Sequence, residues 1–392
     1  MKTLKRTWAD ISLDNLEYNY RSIRAHLPQG TKFLGVMKAD AYGHGAVPVS
    51  RALADLGAEY LAVSNLEEAV QIRRGEVRLP ILILGYTPAE YASNMIFLDI
   101  TQEVHSLEYA RELNEALAGT NYILNVHLKL DTGMTRIGFF AYDNERTLDE
   151  LRQVAQLPHL HIEGAFMHFC VADSRAEADV SFTKLQYKRF MDMLSAMADV
   201  GIRPEIRHCC NSGATILYPE FALDMVRPGI ITYGNAPSDE LEGALSLRPM
   251  MSLHSMIAQV RTVPAGTDIS YGRLYRTKEE TRVAVLPIGY ADGLSRLLTG
   301  KASFYLQGHQ VPVIGRICMD MCMIDVSGVP EAKPGDVVTI FGYDDDGTLL
   351  PCERLARAQG TINYELLCQI SKRIPRICHR GAETSQILQY IV

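Results

Sequence analysis

The chain has 392 residues, 47% hydrophobic and 22% charged, with a formal net charge of -7 and a pI of about 5.9. That length suggests two or three domains with apolar material for a sizeable core, in a composition ordinary for a soluble globular protein. With a net acidic balance and no dense Lys/Arg block, nucleic acid and anionic membrane surfaces are excluded as expected partners, which leaves small molecules. Residues 1–10 contain no apolar signal region, and no later apolar run approaches a membrane span, so the reading is cytoplasmic. Of the eight cysteines, only Cys318 and Cys322 have a spacing that zinc could use. No second such pair accompanies them, so no metal is expected and the thiols read as buried and reduced.

Ser12 can cap a helix whose apolar positions Leu13, Leu16, Tyr20 and Ile23 recur at helical spacing. Strand-like runs then follow at 33–37, 60–63, 81–84 and, more weakly, 96–100. Four more lie at 125–130, 161–167, 205–209 and 222–227. Helical periodicity separates them at 47–56, 66–73, 104–117, 147–155 and 182–200. Eight βα units in a row imply a closed (β/α)8 TIM-type barrel; since the count depends on where boundaries are drawn, a doubly wound sheet is the alternative. After Tyr233-Gly234 the texture changes to short β-rich runs at 252–263, 281–286, 302–306, 311–314, 321–326 and 337–341. Residues 307–310 read as a hairpin loop and 362–374 as one late helix. The expected organisation is a barrel over residues 1–244 and a mainly β domain over 245–392.

The chemistry is expected at the carboxyl ends of the barrel strands, with a phosphate at the loops after the last two. The apolar run 33–37 ends on Lys38 and enters the loop 39–45, bracketed by Gly43 and Gly45. A lysine at the end of a strand buried on both faces would be poorly hydrated, and its lowered pKa would favour a neutral amine able to condense with an aldehyde cofactor. The alternative is a side chain that runs out into water. Lys129, Asp131 and Arg136 fall at or just after the end of strand five, and His168 closes strand six. Asn211-Ser212-Gly213 follows strand seven and Arg227-Pro228-Gly229-Ile230 strand eight. Ser212, Gly229 and Ile230 offer a hydroxyl and amides to a phosphate; Asn211-Ser212-Gly213 reads equally as a helix cap. Arg136 could hold an anion or pair with Asp131, and His168 reads equally as a satisfied core histidine.

At these residues the sequence resembles the alanine racemase family of pyridoxal-phosphate enzymes through nearly its whole length. The segments carrying the resemblance are 36–45, 127–138, His168-Phe169, Asn211-Ser212, Arg227 with Gly229-Ile230, Ser270-Tyr271-Gly272, 289–293, 315–320 and Asn363-Tyr364-Glu365. The resemblance implies a PLP-binding barrel with a second β domain, in a head-to-tail homodimer whose active sites draw on both chains. It implies that Lys38 holds the pyridoxal 5'-phosphate and is one catalytic base, while Tyr271 of the other subunit is the second. Tyr42, Asn211, Ser212, Gly229, Ile230 and Tyr364 match cofactor-binding positions, with Ser212, Gly229, Ile230 and the two tyrosines on the phosphate. Arg227 matches the residue facing the pyridine nitrogen, and His168 with Arg227 matches the cationic support of the tyrosine base. Arg136 and the Met319 backbone amide match substrate-carboxylate contacts, and Lys129 matches a lysine that is carbamylated in many members.

The implied function is interconversion of L- and D-alanine for cell-wall D-alanine or its use as a nutrient. Thr135 stands where a glycine is commoner, and His168-Phe169-Cys170-Val171 replaces a turn richer in alanine and threonine. That departure makes serine or a broader amino acid range the alternative, while retention of Tyr364 favours alanine. A related barrel decarboxylase and a non-catalytic cofactor carrier are the remaining readings; Ser270-Tyr271-Gly272 speaks against the first and the β-rich half against the second.

Overall fold

The first helix, Leu13–His26, starts where its cap places it, with the Asn15 N–H donating to Ser12 Oγ at 3.2 Å. The computed structural model describes residues 6–391. It divides into one unit of Leu16–Ala41 with Ala46–Arg248, and a second of the described residues up to Asn15, Tyr42–Gly45 and those from Pro249 onward.

In the first unit eight parallel strands succeed one another as Lys32–Val36, Tyr60–Val63, Ile81–Ile83, Ile100–Val104, Leu124–Asp131, Leu160–Phe166, Ile206–His208 and Met225–Val226. Their residues are almost all buried, because a parallel strand covered on both faces must be apolar along its whole length. The ladder runs from the eighth strand through the first to the seventh, Met225 lying opposite Lys32 and Phe166 opposite His208. Between the seventh and eighth strands, the Asp224 N–H donates to Arg207 O at 3.1 Å and the Arg227 N–H to Cys210 O at 2.9 Å. The Arg207 guanidinium also forks onto both carboxylate oxygens of Asp224, at 2.7 and 3.0 Å. These bonds draw the last gap together, so the fold is a nearly closed barrel rather than a doubly wound sheet.

Intervening helices lie at Ala46–Leu56, Leu66–Arg74, Leu107–Ala116, Asn144–Val154 and Glu177–Asp199, within a few residues of the predicted spans. The fourth strand is displaced from its expected place: Ile96 and Phe97 end a helix, Ala92–Phe97, and pairing begins only at Ile100. Apolar residues on a short helix and on a short strand are indistinguishable by periodicity, and here length was too small to decide.

The second unit carries a mixed sheet. Its expected β runs appear as Met251–Met256, Gln259–Val263, Thr281–Leu286, Ser303–Leu306, His309–Ile314, Cys322–Asp325 and Val337–Tyr343. His309 and Gln310 belong to a strand, with His309 opposite Leu306, so the hairpin turn is only Gln307-Gly308. There are two late helices: the first, Cys352–Gln359, lies outside the expected span, and the second, Asn363–Cys368, fills only part of 362–374. Gly360, at φ 85°, ends the first by returning its N–H to Ala356 O and Arg357 O. Thr7–Ser12 joins this sheet, antiparallel to Met251–Met256 and parallel to Arg376–Arg380. The expectation of buried thiols holds for five cysteines, but Cys170 and Cys368 are exposed and Cys318 is half-buried.

Arg376 is 1% exposed and donates to four carbonyls: Gly43 O at 2.8 Å, Ser371 O at 2.7 Å, and Ile370 O and Ile374 O at 2.6 Å. A planar fork reaches all four, and a shorter point charge cannot. Arg376→Lys is therefore expected to cost about 3 kcal/mol or more, read as a fall in the urea unfolding midpoint; an unchanged midpoint would refute this clamp.

Candidate active site

The backbone after the first barrel strand folds left-handed. Ala39, Asp40 and Ala41 have φ of 52°, 54° and 55°, Tyr42 follows at 51° and Gly43 at 82°. For a residue with a Cβ this conformation costs roughly 1–2 kcal/mol, so the turn survives only because its surroundings dictate it. The Ala39 N–H donates to Glu68 Oε1 at 2.7 Å and the Ala41 N–H to Met37 O at 2.8 Å. Asp40 Oδ1 accepts from the Ala46 N–H at 2.7 Å and from Gln71 Nε2 at 3.3 Å. At Gly43 a Cβ would lie 2.5 Å from Leu367 O, so glycine there serves close approach while its neighbours bear the strain. Lys38 stands at the start of this turn with an exposed side chain. The expected burial at the strand end is therefore not found, and the side chain takes the alternative course toward water.

Four further basic groups gather at this end of the barrel. Arg227 Nη1 donates to His208 O at 3.0 Å and to His208 Nδ1 at 2.9 Å, and Nη2 donates to Met167 O at 2.7 Å and Cys209 O at 3.0 Å. That leaves Nε–H as the guanidinium donor not engaged among the described residues. Burial pulls Arg227 down to about 10, so it stays charged at neutral pH. His168 Nδ1 lies 3.4 Å from Arg227 Nη2. Burial first, and then the charges of Arg227, Lys129, Arg136 and Lys38, hold its imidazole well below the usual histidine range and hence neutral. Lys129 is buried, with its ammonium 5.0 Å from the Phe166 ring centre. Burial, then Arg227 and Arg136, lower it to about 7 against the opposing pull of Asp131 and Glu103.

Arg136 is exposed, and Asp131 Oδ1 is taken by the N–H groups of Gly133 at 3.0 Å and Thr135 at 3.1 Å, so the expected surface ion pair is not what organises this loop. Thr135 has φ 57°, which explains why glycine suits that position better: a β-branched residue is strained there. Asn211 does cap the short helix Ser212–Leu217, its Oδ1 accepting from the Ala214 N–H at 3.0 Å, so the cap reading is correct for that side chain. Ser212 Oγ accepts from the Gly229 N–H at 2.9 Å, which draws the ends of strands seven and eight together beside buried Ile230.

The remaining candidates belong to the second unit. Tyr42 and Tyr364 face one another with ring centres 5.9 Å apart, and burial pushes the Tyr42 hydroxyl up. Tyr271 is 69% exposed at the tip of a strained turn in which Ser270, Gly272 and Arg273 all have positive φ. It borders a cavity of about 540 Å3 whose lining includes Cys318 and Met321. Met319 is 52% exposed, and Gly289 is packed so closely beneath it that a Cβ would meet Cys318 O and Met319 O at 2.3 and 2.4 Å. Sequence reasoning missed His127, Glu163 and His208, which form a buried chain with Arg227. Polar residues at matching depth in three neighbouring strands were the available signal.

The barrel mouth gathers an amine, a guanidinium and a neutral imidazole at the carboxyl ends of its strands, the place where enzymes of this fold act on small molecules. Residues 11–237 match the family description "Alanine racemase, N-terminal domain" and 250–378 "Alanine racemase, C-terminal domain". The alanine racemase of Desulfovibrio desulfuricans is 46% identical over 94% of this chain and 97% of its own length. That of Clostridium tetani is 42% identical over the full length of both. Among solved structures, alanine racemase from Clostridium difficile 630 superimposes with a TM-score of 0.93 at 40% identity, covering 100% of each chain. The Bacillus anthracis enzyme with bound L-Ala-P does so at 0.92 and 34%, covering 100% of this chain and 99% of that one. The chain belongs to the alanine racemase family, and its reaction is the interconversion of L- and D-alanine. The relatives support alanine and lend nothing to the serine alternative drawn from Cys170 and Val171. Among the described residues no helix is long and apolar enough to cross a membrane.

Because Lys129 is lowered from the ordinary lysine value to about 7, the unfolded chain binds more protons than the folded one between pH 7 and the ordinary value. Stability should therefore rise with pH across that window, with the full cost of burying the charge present below it. In carbon dioxide-free buffer, the 13Cε signal of Lys129 is expected to titrate near pH 7; a midpoint near 10 would contradict the assigned surroundings.

Proposed function

We propose that the mouth of the barrel holds pyridoxal 5'-phosphate and that Lys38 and Tyr271 are the two bases of racemisation. Inverting a stereocentre requires one group to remove the Cα proton and another to deliver a proton on the opposite face. When bound, the cofactor supplies the electron sink that makes this proton acidic enough to leave. The residues fit such a group: Lys38 offers a primary amine to an aldehyde, and the Ser212 hydroxyl, held beside Gly229 at the ends of strands seven and eight, can donate to a phosphate. Tyr42 and Tyr364, whose rings face one another in the second unit, match further phosphate-contact positions by resemblance. The observation that carries the reading is Arg227, whose carbonyl and imidazole bonds leave Nε–H to meet a ring nitrogen. A guanidinium at that place keeps its proton, so the ring stays neutral and negative charge at Cα is held in check, which disfavours side reactions.

Lys38 Nζ serves one face of Cα and Tyr271 Oη the other; in each turnover one accepts a proton and the other gives one up. In the opposite direction the roles exchange. A tyrosine exposed on its own chain at the tip of a strained turn is suited to the site of a second copy, which supports a homodimer with shared active sites. Tyrosine is a weak acid, so its phenolate needs support. Arg227 supplies charge, while His168, held neutral, supplies a hydrogen bond rather than the positive charge implied by the resemblance. By resemblance, Arg136 and the Met319 amide each match a contact to the substrate carboxylate. Lys129, poised to be neutral, can take up carbon dioxide as a carbamate, its Nζ bonding to the carbon and releasing a proton to solvent, and so become an anion that orients Arg136.

Tyr271→Phe should lower racemisation by about a thousandfold or more while the protein keeps its cofactor absorbance. Near-normal turnover in that variant would defeat the two-base reading.

A further inference from the structure

We propose that Glu163, His127 and His208 form a one-way hydrogen-bond relay through the barrel interior that positions the Arg227 guanidinium. The polarity follows from chemistry at both ends. A guanidinium only donates, so His208 Nδ1, 2.9 Å from Arg227 Nη1, must accept. Its proton is then on Nε2, which lies 2.9 Å from His127 Nδ1 and donates to it. That places the His127 proton on Nε2, 3.0 Å from Glu163 Oε2. Glu163 also accepts from the Tyr60 hydroxyl at 2.9 Å and the Thr101 hydroxyl at 3.3 Å. Three donors converging on one carboxyl require it to be an acceptor throughout, hence ionised.

The surroundings fit both rings to this arrangement. Gly164 lies beneath His127, where a Cβ would come within 2.6 Å of three ring atoms. The His208 ring stacks on Phe166 with centres 4.9 Å apart and planes 6° from parallel. Burial would raise Glu163, but the bonds from His127, Tyr60 and Thr101 hold it below the ordinary carboxylate value. Burial lowers both histidines, and Arg227, His127 and Lys129 lower His208 further. A proton added to His208 would set N–H against N–H at Arg227 and turn the guanidinium. Glu163, His127 and His208 are thus positioning residues: they touch no substrate, and they keep His208 as the acceptor that fixes Arg227 with Nε–H outstanding. Only that catalytic consequence rests on the proposed role of Arg227; the polarity of the relay does not.

The test uses the full-length holoenzyme carrying 15N-labelled histidine, with ring tautomers read by long-range 1H–15N spectra and racemisation measured in parallel. In the wild type, His127 and His208 are expected as neutral Nε2–H tautomers, unchanged from roughly pH 6 to 9. In Glu163→Gln the amide cannot accept from Tyr60, Thr101 and His127 together, so the His127 signals should change and kcat fall by about tenfold with KM altered less. Glu163→Asp, which restores the charge, should recover part of kcat. Gly164→Ala, which displaces His127 without removing a titratable group, should act like Glu163→Gln. An Nδ1–H tautomer or an imidazolium at either histidine in the wild type would overturn the relay, as would unaltered spectra and kcat in both Glu163→Gln and Gly164→Ala. A wild type that fails to racemise alanine would instead remove the proposed function, and the tautomers would still decide the relay.

Discussion

A guanidinium can donate hydrogen bonds and never accept them, and the barrel mouth is arranged around that asymmetry at Arg227. Its carbonyl partners, Met167, His208 and Cys209, come from the ends of the sixth and seventh strands, so the eighth strand is tied to its neighbours by the group that would also face the cofactor. The same charge, with burial, keeps His168 and His208 neutral and lowers Lys129. Burial is the larger cause for all three groups, and this one cation adds to it at each, so moving it would disturb all of them together.

Rigid and strained parts are divided between positions in a way that suits this chemistry. The strands are apolar and buried, whereas the residues proposed to meet substrate lie in turns: the left-handed run after Lys38, Thr135 before Arg136, and Ser270 with Arg273 around Tyr271. Such conformations hold only where neighbouring bonds impose them, as Glu68 does at Ala39 and Asp40 does at Ala46. The chain exchanges some stability for fixed directions of an amine, a guanidinium and a phenol.

Much of this was legible in the sequence because parallel strands announce themselves as continuous apolar runs and their carboxyl ends are where polar residues then stand out. Lys38, Arg136, His168 and Arg227 stand out by position, and the roles proposed for them come from resemblance. The fourth strand lies later than the apolar run suggests because Ile96 and Phe97 serve equally well in a helix, and the late helix expected over 362–374 is shorter than that span, with Cys352–Gln359 before it unforeseen. Thr7–Ser12 declares itself only through partners more than two hundred residues away in the chain. A histidine inside a strand looks the same whether it fills space or transmits a hydrogen bond, so the chain from Glu163 to Arg227 needed coordinates. Exposure of Lys38 follows the alternative in which the side chain runs out into water, since strand burial says nothing about the side chain that ends it.

The central claim is that each active site combines Lys38 of one chain with Tyr271 of another, and subunit reassortment tests it most directly. Lys38→Ala and Tyr271→Phe, each inactive alone, would be co-expressed and the mixed dimers assayed for racemisation of L-alanine. Half of the randomly assorted dimers would be mixed and each would hold one intact site, so about a quarter of wild-type activity is expected. Activity no higher than that of the separate variants would contradict a site shared between chains.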